Sequence, residues 1–217
     1  MASKKVPGFV KVLAAVAVLG VLAVLFVRSA DSSRAEPFTV PKNQLSSWTL
    51  ELEPDAGSGS VLTLRSNPQL ASVVSRQVFA RSGESQHTPG MPGIPLVLRS
   101  EYERGLTGLS PGALLTAARE SGLESATFEP RCLVRRRVSE PGVTRAVYFI
   151  LFDAPAFTEF RQRVAQRLRD AGGDASFFDP AAISPVLIVA SLDGEFDRWL
   201  PLRVESEAEC LAPIQLQ

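Results

Sequence analysis

The sequence predicts an α+β fold of antiparallel sheets with packed helices, in one globular domain over 47–217. A single N-terminal transmembrane helix and a short linker precede it. Three observations carry this reading. The run 146–191, AVYFILFDAPAFTEFRQRVAQRLRDAGGDASFFDPAAISPVLIVAS, reads as strand, helix, loop, strand. Short turns rich in Gly, Pro and Ser join other strand-like runs into hairpins, which favours antiparallel pairing over a doubly wound parallel fold. Near the amino terminus, sixteen apolar residues, 12–27, stand without a break.

With Phe9, Val10 and a snorkelling Lys11, the apolar run extends over 9–27, close to the roughly 20 residues that span a bilayer. It has no polar face, which argues against a buried core helix. Lys4 and Lys5 supply a positive leader. A signal peptide cleaved after Ala35 is the rival reading, but that site lies eight residues past the run and Pro37 follows it closely. An uncleaved, single-pass signal anchor over 1–28 is therefore expected, with 29–46 as a polar linker. Basic residues balance on the two flanks. A short basic N-terminus held in the cytoplasm puts the globular domain in the periplasm or outside the cell.

Beyond Ala35, one lysine and seventeen arginines face 22 acidic residues, a net charge of −4. Such a domain is a poor non-specific nucleic-acid binder, and no nucleic-acid partner is expected. The one basic run, Arg135-Arg136-Arg137, reads as a solvated strand face whose alternate members point to opposite sides. Cys132 and Cys210 either pair, as an oxidising compartment allows, or remain two buried thiols. A bond between them would close a 78-residue loop, worth roughly 4 kcal/mol in the chain-entropy model. Two cysteines and one histidine, widely spaced, suggest no zinc site, and neither metal nor cofactor is expected.

Trp48 to Glu53 alternates as a half-buried strand does, and Val61 to Arg65 returns after a Gly/Ser turn, which predicts a hairpin. Asn67-Pro68 reads as a helix start, with Leu70, Val73, Val74 and Val78 as its stripe, although 73–80 also suits a strand. The loop 82–94 holds the sole histidine, His87. Residues 95–99 form a short apolar strand. Ser110-Pro111 opens a helix that Gly122 closes. A strand over 131–138 turns at Glu140-Pro141-Gly142 into the strand at Tyr148. Asp153 and Pro155 start the next helix, whose apolar face is Phe157, Phe160, Val164 and Leu168, with Arg161, Arg163 and Arg167 off that face. Gly172-Gly173 ends it, and 186–190 is a buried strand. Trp199 is core or an exposed aromatic anchor, 202–204 is strand-like, and the end of the chain, with Cys210, is coil.

From Pro95 to Ser191 the arrangement resembles the two-histidine (2H) phosphoesterase and RNA-ligase-like superfamily. In that family a strand carrying His-h-Ser/Thr-h, where h is apolar, is followed by helices and strands. A strand–helix unit then leads to a second such strand, often introduced by Phe-Asp-Pro and a proline just before the histidine. This chain has Phe178-Asp179-Pro180, then Pro185 before Val186-Leu187-Ile188-Val189, and the earlier strand reads Pro95-Leu96-Val97-Leu98. The resemblance implies a two-lobed core with a groove between facing strands. It also implies two imidazoles, one removing a proton from the attacking hydroxyl and the other protonating the leaving oxygen. Here Pro95, Val97, Val186 and Ile188 stand at the motif positions, and none of them can donate, accept or titrate. One histidine in the whole chain excludes an imidazole pair in any register.

The other catalytic readings are weaker. There is no Gly-x-Ser-x-Gly elbow, P-loop or GxGxxG. His87-Thr88-Pro89 reads as a solvated loop. The carboxylates Asp193, Glu195 and Asp197 suit a surface turn better than a calcium loop. Glu101 and Glu103 suit a solvated edge, and Cys132 lacks an activating base. The expectation is therefore a membrane-anchored, non-catalytic, pseudoenzyme-like binding or scaffold domain with a partner in a bacterial envelope. The alternatives are a phosphoesterase-type hydrolase using carboxylates, with Glu101 or Asp193 as base, and a purely structural envelope protein.

Overall fold

The computed structural model describes residues 18–20, 22, 36–53, 59–140 and 142–217. The chain divides into two units, Met1–Glu36 and Pro37–Gln217. In the first, Val18, Leu19, Gly20 and Leu22 are helical. The rest of the anchor expected over 9–27 lies outside the described residues. Among the described residues no helix is long and apolar enough to cross a membrane.

The described residues of the second unit form β1 (Phe38–Val40), β2 (Thr49–Leu52), β3 (Ser60–Arg65), α1 (Pro68–Ser82), β4 (Gly93–Leu98), α2 (Pro111–Glu120), β5 (Glu129–Glu140), β6 (Val143–Asp153), α3 (Pro155–Asp170), β7 (Val186–Ser191) and β8 (Cys210–Leu216), in that order. They make a mixed α+β fold with two sheets. One sheet has the order β1-β8-β5-β6-β7, parallel only between β1 and β8; the other is antiparallel β2-β3-β4.

Local chemistry accounts for the helices. In α1 the Asn67 side chain accepts the Gln69 N–H at 2.9 Å, Pro68 holds the first turn, and Gly83 closes the helix at φ 67°. The strand alternative over 73–80 is therefore replaced by helix. In α2 the Ser110 hydroxyl caps the Ala113 N–H at 3.1 Å. In α3 Pro155 occupies the first turn, but the capping position is Ala154, while Asp153 remains the last residue of β6. Phe157, Phe160, Val164 and Leu168 are buried, each worth about 1.5–3 kcal/mol of apolar transfer. α1 packs on β7 and β1, α2 on β2 and β3, and α3 on α2.

Both chain ends of this unit depart from expectation. The compact unit begins at Pro37, inside the stretch expected to be linker, because Phe38 and Val40 are buried and β1 pairs with β8. The expected C-terminal coil is β8 itself, lying between β1 and β5. Residues 202–204, expected to be strand-like, form no strand. They belong to an irregular strap over 196–204.

The apolar interior has two parts. The main core joins all three helices to both sheets. The smaller one lies on β5, β6 and β7 as Cys132, Val134, Val147, Phe149, Leu151, Val186 and Ile188, covered by Trp199 and Leu202 of the strap. Trp199 is thus a core residue rather than an exposed anchor.

Candidate functional site: a cleft between the two sheets

A cleft of about 190 Å³ opens where the sheets meet. Ser60, Thr63 and Arg65 of β3, Gly93 and Pro95 of β4, the loop around Met91, Ile188 of β7, and Phe196, Asp197 and Leu200 of the strap line it. Its lining mixes apolar side chains with Glu53, Ser60, Thr63, Arg65 and Asp197. Its polar groups are largely paired: the Ser60 and Thr63 hydroxyls lie 2.7 Å apart, and Arg65 donates Nε to Glu51 at 2.6 Å, Nη1 to the Met91 carbonyl at 2.6 Å and Nη2 to Glu53. Arg65 therefore fastens β2 and the 89–92 loop to one wall. Gly93 is needed for this approach, because a Cβ there would collide with the Thr63 methyl.

The four motif positions are only partly brought together. Pro95 and Ile188 line the cleft from opposite sheets, and Pro95 and Val186 share a separate small pocket beside Leu98 and Leu202. Val97 does not join them; it is fully buried in the main core. Between Thr63↔Pro95 and Leu62↔Val97 the ladder gains a residue on β4. That bulge turns Val97 to the other face, so the two-residue spacing no longer means a shared face.

His87 lies beside β7, not across the cleft. Its N–H donates to the Ser191 carbonyl at 2.8 Å and its carbonyl accepts the Ser191 N–H at 2.9 Å, an isolated antiparallel bridge. The residue is exposed. Gly194, at φ 74°, leaves the ring room: a Cβ there would come within 3.2 Å of His87 Cγ.

Glu101 requires a correction. It was expected on a solvated edge, and Arg161 off the apolar face of α3. Both are buried and form one ion pair. Glu101 sits in the helical turn Arg99–Glu101 after β4. Arg161 donates Nη2 to Glu101 Oε1 at 2.6 Å and to the Asp179 carbonyl at 2.8 Å. Its Nη1 reaches Glu101 Oε2 at 3.2 Å and the Leu96 carbonyl at 3.0 Å, and its Nε reaches the Pro180 carbonyl at 2.8 Å. The Leu98 N–H adds a bond to Glu101 Oε2 at 3.0 Å. The guanidinium lies 4.6 Å from the centre of the Phe178 ring. All five guanidinium N–H groups are satisfied, and Phe178-Asp179-Pro180 wraps this charge. A carboxylate buried against a fixed guanidinium and already accepting three bonds is poorly placed to take a substrate proton. The spacing 157, 161, 164, 168 already placed Arg161 on the buried stripe, and its charge hid this.

Asp193 is the other candidate base. Ser191 Oγ donates to its Oδ1, as do the Glu195 N–H at 3.1 Å and Trp199 Nε1 at 3.5 Å, while Oδ2 is buried without a partner. Burial pushes its pKa up, but the hydrogen bonds from Ser191, Glu195 and Trp199 outweigh that and hold it below the usual carboxylate value. A depressed pKa makes a weak base. Among the described residues no three His, Cys, Asp or Glu side chains form a group that could hold a metal ion.

The basic run alternates as a strand should. Arg135 and Arg137 reach Glu84 at 2.9 and 2.5 Å, and Arg136, on the other face, reaches Glu209 at 3.0 Å. Tyr148 donates its hydroxyl to Glu84 at 2.7 Å; burial and this bond push its pKa up to about 12. The three arginines are neutralised within the fold, not merely solvated. Cys132 and Cys210 form a disulfide joining β5 to β8.

No protein-family model, curated protein or solved structure matches the chain.

Proposed function

We propose that the chain is a membrane-anchored, non-catalytic binding or scaffold domain with a degenerate 2H-like core, and that the cleft between its sheets is the binding surface. One observation carries the reading: Pro95 and Val186, at the two positions where the family's chemistry needs imidazoles, line one small pocket together, and Ile188, at the second Ser/Thr position, lines the cleft opposite Pro95. Groups without a titratable atom transfer no proton, so these motif positions favour contact over turnover. The Cys132–Cys210 bond supports an oxidising, extracytoplasmic compartment. Partners are then envelope proteins or small ligands at that surface.

The test is an assay of the purified full-length chain against cyclic and linear phosphodiesters and nucleotide phosphoesters. The expected result is no turnover above background. Turnover that His87→Ala abolishes would overturn the proposal. Turnover that Asp193→Asn abolishes would restore the carboxylate hydrolase.

A further inference from the structure

We infer that the Cys132–Cys210 disulfide is a redox latch on the strap that walls the cleft, so that a dithiol reductant loosens the strap and opens the cleft without unfolding the domain. The inference deepens the binding reading and, for its function, rests on it.

The strap has no strand partner. Its middle is held by Trp199 and Leu202 in the small core, by the Ser184 N–H on the Leu202 carbonyl at 3.0 Å, and by the Val204 N–H on Ser184 Oγ at 3.0 Å. Beyond Val204 the chain runs into β8, which lies between β5 and β1, and side chains of β5 reach across to this segment. Arg136 donates to the Arg203 carbonyl at 2.8 Å and pairs with Glu209, Arg131 pairs with Glu207, and Cys132 bonds Cys210. The ion pairs are partly exposed and individually weak. The β5–β8 ladder beside them spans only three pairs, with an irregularity between Leu133 and Val134. The disulfide is the covalent tie between this segment and β5. The upstream half of the strap supplies Phe196, Asp197 and Leu200 to the cleft wall. Loosening that starts at Cys210 reaches the cleft along this segment, through Leu202 and Trp199.

The chemistry balances with an external dithiol. Cys132 is buried while Cys210 is only half-buried, so the incoming thiolate attacks at Cys210. A mixed disulfide forms there, the Cys132 thiolate leaves and takes a proton, and the reductant's second thiol displaces Cys210 as a thiol. Two electrons pass from the dithiol, which becomes a cyclic disulfide, to the protein, which gains two thiols.

The test is hydrogen exchange, read by mass spectrometry on the full-length chain before and after dithiothreitol, under native conditions. Amides of 198–210 are expected to exchange at least about tenfold faster when reduced, while those of α3 keep their rates, as a local opening requires. Unchanged exchange over 198–210 overturns the inference. Equal acceleration in α3 also overturns it, since that reports loss of global stability. The double substitution Cys132→Ser, Cys210→Ser should reproduce the reduced pattern and stay insensitive to dithiothreitol. None of these readouts needs a ligand, so they stand apart from any failure of the binding proposal.

Discussion

Glu101→Gln removes one charge from beside a guanidinium whose side chain is 0% exposed. The substitution keeps the shape and leaves an amide oxygen to accept one bond, but Arg161 keeps its charge with no counterion. Breaking a buried pair in this way costs about 3–5 kcal/mol, and the surviving acceptor points to the lower end. Arg161→Met costs more. It strips Glu101 of its cation and also orphans the Leu96, Asp179 and Pro180 carbonyls, each worth about 1–3 kcal/mol when left unpaired. A domain of this size has about 5–15 kcal/mol of stability in total, so Arg161→Met approaches the limit of folding. Combining Arg161→Met with Glu101→Leu removes the stranded carboxylate but not the three carbonyls. The double variant should therefore be less damaged than the sum of its singles by about 2 kcal/mol, yet still below wild type. Urea unfolding followed by far-ultraviolet circular dichroism reads all of these at constant m-value. The reasoning fails if Glu101→Gln stays within about 1 kcal/mol of wild type, as an exposed pair would. It fails equally if the two single losses simply add.

Three further outcomes are expected. Trp199→Ala should cost about 3–5 kcal/mol in the same urea experiment, because the indole fills the small core against the β5–β7 face; a loss below about 1 kcal/mol would mean the strap does not pack there. Tyr148 has a folded pKa of about 12 against an ordinary 10.0. Its contribution is therefore complete below pH 10 and lost as pH rises from 10 to about 12. Tyr148→Phe should flatten that part of the alkaline limb, and an unchanged limb would refute the assignment. Asp193 has a lowered pKa in the fold. Its contribution is present above the ordinary aspartate range and disappears as pH falls through the folded value. Stability curves of wild type and Asp193→Asn should therefore converge in acid and separate toward neutrality; parallel curves would show that the Ser191 and Trp199 bonds do not bias its titration.

The sequence is most legible where structure is local. Apolar alternation and spacing locate β3, β6, β7 and α3, and Asn67, Ser110 and Gly172 stand where the helices begin and end. What it conceals is set by partners far along the chain. β8 reads as coil because Pro213 interrupts a short run, and only its pairing with β5 and β1 makes it a strand. β1 reads as linker for the same reason. The bulge between Pro95 and Val97 leaves no mark on the strand pattern, yet it decides which motif position faces the cleft. Arg161 was legible by spacing and obscured by charge: a buried guanidinium is intelligible only once Glu101 and three carbonyls are known to meet it.

These concealed features share a physical logic. In a catalytic groove, charged and titratable groups must face the ligand. Here the buried charge of Arg161 and Glu101 is turned inward, tying β4, α3 and the 178–180 loop into one block, and Arg65 is spent on fixing the cleft wall. Tyr148 and the three arginines of β5 are matched by Glu84 and Glu209. The lone histidine is held by its backbone at the edge of β7. With much of its charge committed to architecture, the cleft holds the paired Arg65 and Glu53 on one side and Asp197 on its strap wall, among apolar neighbours. That distribution suits a surface that holds a partner and is poor for one that moves protons. It also gives the strap its importance, since the strap and the 89–92 loop are the walls not built into either sheet, and Arg65 fastens only the loop.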